Sequence, residues 1–385
     1  MPVLRSAVHL EGLGPVEVAG RPLTVIQLLP ALNSGGVERA TLEIGGALTA
    51  AGHRSIVISA GGRLLDQLAT QGSEHIELDI GRKGLGTLRH IWTLRRLFKQ
   101  LKPDIVHARS RLPAWLGWAA LRGLRGPHFV TTVHGLNSPG SYSAVMTRGE
   151  RVICVSNAVR DYILKHYPHT RPGRLMVIPR GIDTREFPFG YLPGDSWRAD
   201  FIREFPQLQG GMLLTLPGRG TRLKGHADAI ELLAGLAARG LDCRLLLVGA
   251  REAGREDYIA ELEALAQQRG VAERVVITPP RSDVREIYAI SNLVLQLSNK
   301  PEAFGRTVLE ALALCRPVCG YAHGGVGELL AELYPEGRVP PGDITRLIER
   351  AAELLRVAPP IAPLKSFRLA DMQAATLALY SQLAG

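Results

Sequence analysis

Leu293-Val294-Leu295-Gln296-Leu297-Ser298-Asn299-Lys300-Pro301-Glu302-Ala303-Phe304-Gly305-Arg306-Thr307-Val308-Leu309-Glu310 decides how this chain folds. Leu293–Leu297 is an apolar run of strand length, and Val308–Leu314 follows as a helix. Between them lies a short acidic loop, and Phe304-Gly305-Arg306-Thr307 opens the helix. A strand, a loop and a helix N-terminus make a site for anions and polar ligands, because unpaired N–H groups and the positive end of the helix dipole face it. Glu302 stands at the mouth of that site. Glu310 follows eight positions later, on a helix whose side chains lean back toward its N-terminus. The pair can bracket one extended polar ligand. The plainer alternative is a loop charge and a solvated helix residue, and the ten residues Pro301–Glu310 alone do not choose.

The alternation continues outward. Met212–Leu216, Arg244–Val248, Val275–Thr278 and Pro317–Tyr321 read as buried strands, with helices at Lys224–Ala238, Glu256–Arg269 and Val284–Ile290. The first half repeats the pattern. Strands Leu23–Leu29, Ser55–Ser59, His75–Leu78, Ile105–Ala108, His128–Val133, Val152–Val155 and Leu175–Ile178 are spaced by helices at Val37–Ala51, Arg63–Thr70, Leu85–Leu101, Pro113–Leu121 and Asn157–Tyr167. Phe187–Trp197, rich in proline and aromatic residues, reads as a linker. The expected architecture is α/β, with Rossmann-like domains at 1–185 and 186–385. Terminal helices at about 366–385 are free to pack back on the first domain. Ligands of such sheets bind at the carboxyl ends of the strands, here in a deep cleft that the two halves face.

A chain of 385 residues can bury two cores, and its 46% apolar and 21% charged content is that of a soluble globular protein. No apolar run reaches the roughly 18 residues that span a bilayer. Met1–Arg21 lacks the features of a signal peptide. Cys154, Cys243, Cys315 and Cys319 form no metal or disulfide pattern, so a cytoplasmic location is expected. The net charge of +10 is uneven: residues 1–185 hold 24 Lys/Arg against 12 Asp/Glu, and the rest hold 22 against 24. Leu85–Leu101 is apolar at Leu88, Ile91, Trp92, Leu97, Phe98 and Leu101 and basic at Arg89, Arg95, Arg96 and Lys99. Taken alone it reads as a core-facing helix with a basic outer face. The charge asymmetry raises a second reading, peripheral contact with an anionic membrane. No nucleic-acid motif is present, so nucleic acid is not expected as a partner.

Four further motifs carry chemistry. Pro217-Gly218-Arg219-Gly220-Thr221-Arg222-Leu223-Lys224-Gly225 is a glycine-rich turn between a strand and a helix. It matches neither the P-loop nor the dinucleotide fingerprint. Arg219 and Lys224 can hold a diphosphate and stabilise it as it leaves; an ordinary surface turn is the alternative. His134 ends the strand before it as His134-Gly135, where a histidine faces a ligand cleft, and His107 ends another. Gly35-Gly36 lets backbone approach a ligand at a helix N-terminus, or is simply a tight turn. No Asp-x-Asp clamp for a metal–nucleotide complex occurs, nor a Gly-x-Ser-x-Gly nucleophile.

Together these residues resemble the retaining glycosyltransferases of family 4, which have the GT-B fold. Pro301–Glu310 resembles their Glu-x7-Glu motif, Gly218-Arg219 with Lys224-Gly225 their diphosphate clamp, and His134-Gly135 their cleft histidine. Gly35-Gly36-Val37-Glu38, Arg180-Gly181-Ile182-Asp183 and Gly324-Gly325-Val326-Gly327-Glu328 match other segments in order. His107-Ala108-Arg109-Ser110 and Arg281-Ser282-Asp283 most resemble transferases of the Gram-negative lipopolysaccharide core. The resemblance implies that Arg219 and Lys224 hold the donor diphosphate in place of a metal, so neither metal nor cofactor is expected. It implies that Glu310 binds the ribose and Glu302 the transferred sugar, with His134 near the reacting carbon. Amides of Phe304, Gly305, Arg306 and Thr307 would meet sugar and phosphate oxygens, and the Gly218 turn the diphosphate. The Arg281 backbone would meet the base, and Gly35 and Gly36 the acceptor. Pro279-Pro280 before Arg281, and Gly220 and Arg222 in the clamp loop, depart from the family pattern. The expected activity is metal-independent transfer, with retention, from a UDP-type donor to a glycan or lipid-linked acceptor, with the domains closing on the donor. A nucleotide-sugar epimerase of the same fold and a non-catalytic sugar-binding protein are the alternatives.

Overall fold

The computed structural model describes residues 21–33 and 35–385. The leader before Arg21, and Ser34 of the first glycine turn, lie outside the described residues. Two compact units divide the chain: one runs to Gly181 and takes up Arg368–Gly385, the other is Ile182–Phe367.

In chain order the elements are β1 (Thr24–Leu28), α1 (Gly36–Ala50), β2 (Arg54–Ser59), α2 (Leu65–Thr70), β3 (Glu74–Glu77) and α3 (His90–Leu101). β4 (Ile105–Ala108), α4 (Arg111–Leu121), β5 (His128–Val133), β6 (Arg151–Cys154), α5 (Asn157–His166) and β7 (Leu175–Val177) follow. The second unit holds α6 (Asp195–Glu204), β8 (Met212–Pro217), α7 (His226–Ala238), β9 (Cys243–Val248), α8 (Glu256–Gln268) and β10 (Val275–Ile277). It continues through α9 (Val284–Ile290), β11 (Leu293–Gln296), α10 (Arg306–Ala313), β12 (Val318–Tyr321), α11 (Gly324–Leu333), β13 (Arg338–Val339) and α12 (Ile344–Arg356). The final helix α13 (Leu369–Ala384) returns to the first unit.

Both sheets are parallel, as the continuous apolar strands require. The first has the order β3-β2-β1-β4-β5-β6-β7, the second β10-β9-β8-β11-β12-β13. Each therefore reverses direction once, between β1 and β4 and between β8 and β11. Crossovers on either side of such a switch point leave a crevice at the carboxyl ends of the two strands. The core of the first unit packs Leu23, Val25, Ile44, Leu48 and Ile105 against Met372, Leu377 and Tyr380 of α13.

Some elements differ from the sequence reading. Trp197, placed in the linker, lies in α6, where it stacks on Phe201 with ring centroids 4.9 Å apart. Lys224 closes a 3₁₀ turn, Arg222–Lys224, ahead of α7. The basic helix begins as a 3₁₀ turn, Leu85–Arg89, and only Leu94 and Phe98 of α3 are fully buried. Leu88 and Trp92, read as core-facing, are 54% and 73% exposed, and Leu85 is 88% exposed.

Candidate functional site

The switch point of the second unit gathers most of the residues expected to hold a donor. The loop after β8 ends at Gly225, whose φ is 73° and where a Cβ would stand 2.0 Å from the carbonyl oxygen of Leu297. Only glycine allows that approach, and it carries Lys224 to the end of β11. The Lys224 ammonium reaches Glu302, with Nζ–Oε1 at 2.5 Å. The Ser298 hydroxyl donates to the same oxygen, and Gln296 Nε2 donates to Oε2 at 3.2 Å. The Glu302 backbone is fixed too, since its carbonyl accepts from Gly325 N–H at 2.8 Å. His323 Nε2 donates to the Ser298 carbonyl at 2.7 Å, so it bonds the loop just past β11 that supports the pair. Side-chain exposures of 28% for Lys224 and 24% for Glu302 leave room for a ligand on one side. Glu302 is therefore a positioned carboxylate.

Helix α10 starts at Arg306, two residues before the expected Val308, because Gly305 takes φ 101° as its cap. A Cβ on Gly305 would meet Val326 Cγ2 at 2.7 Å, so a side chain there would push the helix N-terminus off α11. The early start puts Arg306 one turn ahead of Glu310, and Nε–Oε1 is 2.8 Å. Glu310 also lies in hydrogen-bonding reach of the buried Tyr288 phenol, as does Thr307, and burial raises that phenol well above its usual range. With a side chain 13% exposed, Glu310 is not the solvated helix residue of the plainer reading. Phe304 is buried, its ring 6.1 Å from that of Phe367.

The other two clamp residues and Arg281 differ in state. The Lys224 stem packs over Gly218, with Cγ 3.1 Å from where a Cβ would be. Arg219 is exposed, and among the described residues no side-chain partner holds its guanidinium. Arg222 is committed elsewhere, to Glu261 at 2.6 Å and over the Tyr258 ring. The Arg281 side chain forms a fork on Asp283, at 2.8 and 2.9 Å, and also pairs with Glu204 at 2.7 Å. Three of its five N–H donors are thereby engaged.

In the first unit the switch point holds His134, Gly35 and Gly36, joined by a residue that sequence reasoning had quoted without assigning it a task. Arg180 Nη1 donates to the Gly36 carbonyl at 2.5 Å, and Nη2 contacts His134 Nδ1 at 2.6 Å. A guanidinium can only donate, so Nδ1 accepts and the imidazole proton sits on Nε2. That Nε2 is buried, and among the described residues none accepts from it. Burial first, and the Arg180 and Arg109 charges second, hold His134 well below its usual pKa, in the neutral form. His134 therefore presents a hydrogen-bond donor. Gly35 caps α1 at the same end. His107 is spent on structure, with Nδ1 2.6 Å from the Tyr380 hydroxyl and Nε2 2.6 Å from Thr132 Oγ1. Its Tyr380 partner stands 273 residues away in sequence, a pairing no local pattern announces.

Residues 34–186 match the family model Glycosyltransferase Family 4, and residues 200–360 match Glycosyl transferases group 1. The chain is 32% identical over 286 residues to a D-inositol 3-phosphate glycosyltransferase of Acidothermus cellulolyticus, covering 66% of this chain and 62% of the relative. It is 29% identical over 243 residues to the protein of that name from Xylanimonas cellulosilytica, covering 58% and 56%. The match thus spans less than two thirds of either relative's length. Among solved structures, a glycosyltransferase of Rickettsia africae superposes with a TM-score of 0.81 at 26% identity, over 94% of this chain and 99% of that one.

Proposed function

We propose, from the match of residues 34–186 to Glycosyltransferase Family 4 and of residues 200–360 to Glycosyl transferases group 1, that this chain is a retaining glycosyltransferase that moves a sugar from a nucleotide diphosphate to a glycan or glycolipid hydroxyl. The observation that carries the reading is the Lys224–Glu302 pair, held at the switch point of the second unit beside the N-terminus of α10. An ammonium has three N–H groups. One is on Glu302, and the others are free for diphosphate oxygens. Arg219, exposed and with no side-chain partner among the described residues, is a second cation for the same leaving group. Two cations and a helix dipole neutralise charge that develops on the departing diphosphate without a metal. Glu302 binds hydroxyls of the transferred sugar, and Glu310, steadied by Arg306, binds the ribose. His134 offers its Nε2–H to a sugar oxygen. Among the described residues no side chain is set up as a covalent nucleophile, and in this reading the leaving phosphate oxygen takes the acceptor proton during displacement on the same face.

A UDP-linked hexose is the first donor to test, and a lipopolysaccharide-core glycan the first acceptor. D-inositol 3-phosphate, for which the relatives are named, is the competing acceptor. Incubation with each donor in EDTA, followed by NMR of the product, reads donor, metal need and anomeric outcome together. Inverted product, or an absolute need for a divalent ion, contradicts this reading; an epimerised donor with no transfer points to the epimerase.

Peripheral membrane contact belongs to the same proposal. Among the described residues no helix is long and apolar enough to cross a membrane. Leu85, Leu88 and Trp92 are exposed beside Arg82, Lys83, Arg89 and Arg96, an apolar strip in a basic surround. Anionic vesicles at low salt should retain the protein, and the double substitution L85S/W92S should release it. Equal retention of both forms rules out this strip.

A further inference from the structure

The two residues at which the clamp loop departs from the family pattern, Gly220 and Arg222, both tie it to α8 and to the connection that leads into α8. A Cβ on Gly220 would stand 2.1 Å from the Ala250 carbonyl oxygen, so only glycine lets the loop lie against the β9–α8 connection. Arg222 forms a two-pronged pair with Glu261 of α8, with Nη2–Oε1 and Nη1–Oε2 both at 2.6 Å. Its guanidinium also lies 5.2 Å from the centroid of the Tyr258 ring. The Tyr258 hydroxyl in turn is 3.4 Å from Nδ1 of His226, the residue after the last glycine of the clamp. Asn299, in the loop past β11, grips the same stretch from elsewhere. Its Nδ2 donates to the Arg222 carbonyl at 3.1 Å and its backbone N–H to the Leu223 carbonyl at 2.9 Å. Lys224 comes next in the chain. An isolated surface ion pair contributes little, but a fork backed by an aromatic ring and a held backbone has one geometry.

We infer that Arg222, Tyr258 and Glu261 brace the clamp loop in the conformation that receives a diphosphate, as positioning residues that do not touch the ligand. A loop that carries its cations on flexible stems loses freedom when it closes on an anion, and a loop held in advance has less to lose. Charge alone argues the other way. Glu261 adds a negative charge to the loop that presents Arg219 and Lys224, and it engages a guanidinium that would otherwise be free for the anion. A purely electrostatic role therefore makes its removal tighten binding, whereas a brace makes its removal weaken binding. Naming a nucleoside diphosphate as the ligand rests on the transferase reading; the brace is built from contacts of the second unit alone.

Calorimetric titration of the full chain with UDP, GDP and ADP first identifies the diphosphate that the wild-type protein binds. The same titration is then run on Glu261→Ala and on the charge swap Arg222→Glu/Glu261→Arg. Glu261 is exposed on a helix, where alanine fits, so the melting temperature should stay at its wild-type value. Binding should nevertheless weaken about tenfold in Glu261→Ala, because a clamp displaced by a fraction of an ångström loses its fit. The swap rebuilds the pair with its ends exchanged and should return binding to within about threefold of wild type. Binding that is unchanged or tighter in Glu261→Ala, or a swap as weak as that variant, overturns the inference and leaves the fork as surface electrostatics. The two readings fail differently. A wild-type protein that binds none of the three diphosphates sinks the transferase reading and this inference with it, whereas wild-type binding that ignores Glu261→Ala sinks the brace alone.

Discussion

At the scale of single residues, three buried histidines, His107 and His134 of the first unit and His226 of the second, are held neutral, and that has a consequence for pH. His226, the first residue of α7, is fully buried, with Nδ1 3.4 Å from the Tyr258 hydroxyl and the Gly218 and Thr221 backbone beside its ring. Burial lowers its pKa to about 4. In the unfolded chain it titrates near the ordinary value of about 6.5. Between those values the unfolded state binds the extra proton, so stability is full above about pH 6.5 and falls as pH drops toward 4. The gap is worth a few kcal/mol, on the order of 1.4 per unit. His134 and His107, both lowered by burial, act in the same direction. Urea midpoints measured from pH 7 to 4 should fall steadily, and His226→Gln should remove about one proton's share of that slope. A flat profile in the wild type contradicts this account of the buried imidazoles.

At the scale of elements, the two glycines that set the donor site act through backbone. Gly225→Ala asks for an L-residue at φ 73° with its Cβ 2.0 Å from the Leu297 carbonyl. The expected cost is about 1–3 kcal/mol, seen as a lower melting temperature, together with loss of donor binding as Lys224 swings away from Glu302. A variant that melts and binds like wild type refutes the close approach. Much of this architecture was legible in the sequence, because parallel strands buried on both faces are continuous apolar runs and the glycines punctuate them. Ile105–Ala108, His128–Val133 and Val284–Ile290 have the ends read from sequence. Helix starts were harder. A left-handed cap at Gly305 moved α10 forward two residues, and the aromatic stretch that looked like linker supplies α6 because Trp197 can bury against Phe201. The carboxylates and cations of the site could be named, since strand ends point to them. Their partners Gln296, Ser298, Tyr288 and Arg180 could not, because hydrogen bonding across elements leaves no period in the chain. Trp92 and Leu88 misled for a related reason: helical spacing marks an apolar stripe without saying which part of it is covered.

At the scale of the whole molecule, the chain leaves its first unit at Gly181 and returns at Arg368, so α13 is the keystone of a core built some 300 residues earlier. Met372, Leu377 and Tyr380 are buried there against Val25, Ile44 and Leu48. Each such side chain contributes about 1.5–3 kcal/mol, and a whole domain has only about 5–15 to lose. Deletion of 369–385 should therefore unfold the first unit, while Ile182–Phe367, with its own core, keeps its transition; loss of neither transition contradicts the assignment of α13. The central claim is that the second unit holds a nucleotide diphosphate sugar on Lys224 and Glu302. It is tested most directly by incubating the full chain with UDP-, GDP- and ADP-glucose in EDTA and measuring the nucleoside diphosphate released. The account predicts release from one of the three, falling on the order of 10²–10³-fold in Lys224→Ala. No release from any donor, or release that Lys224→Ala leaves unchanged, would contradict it.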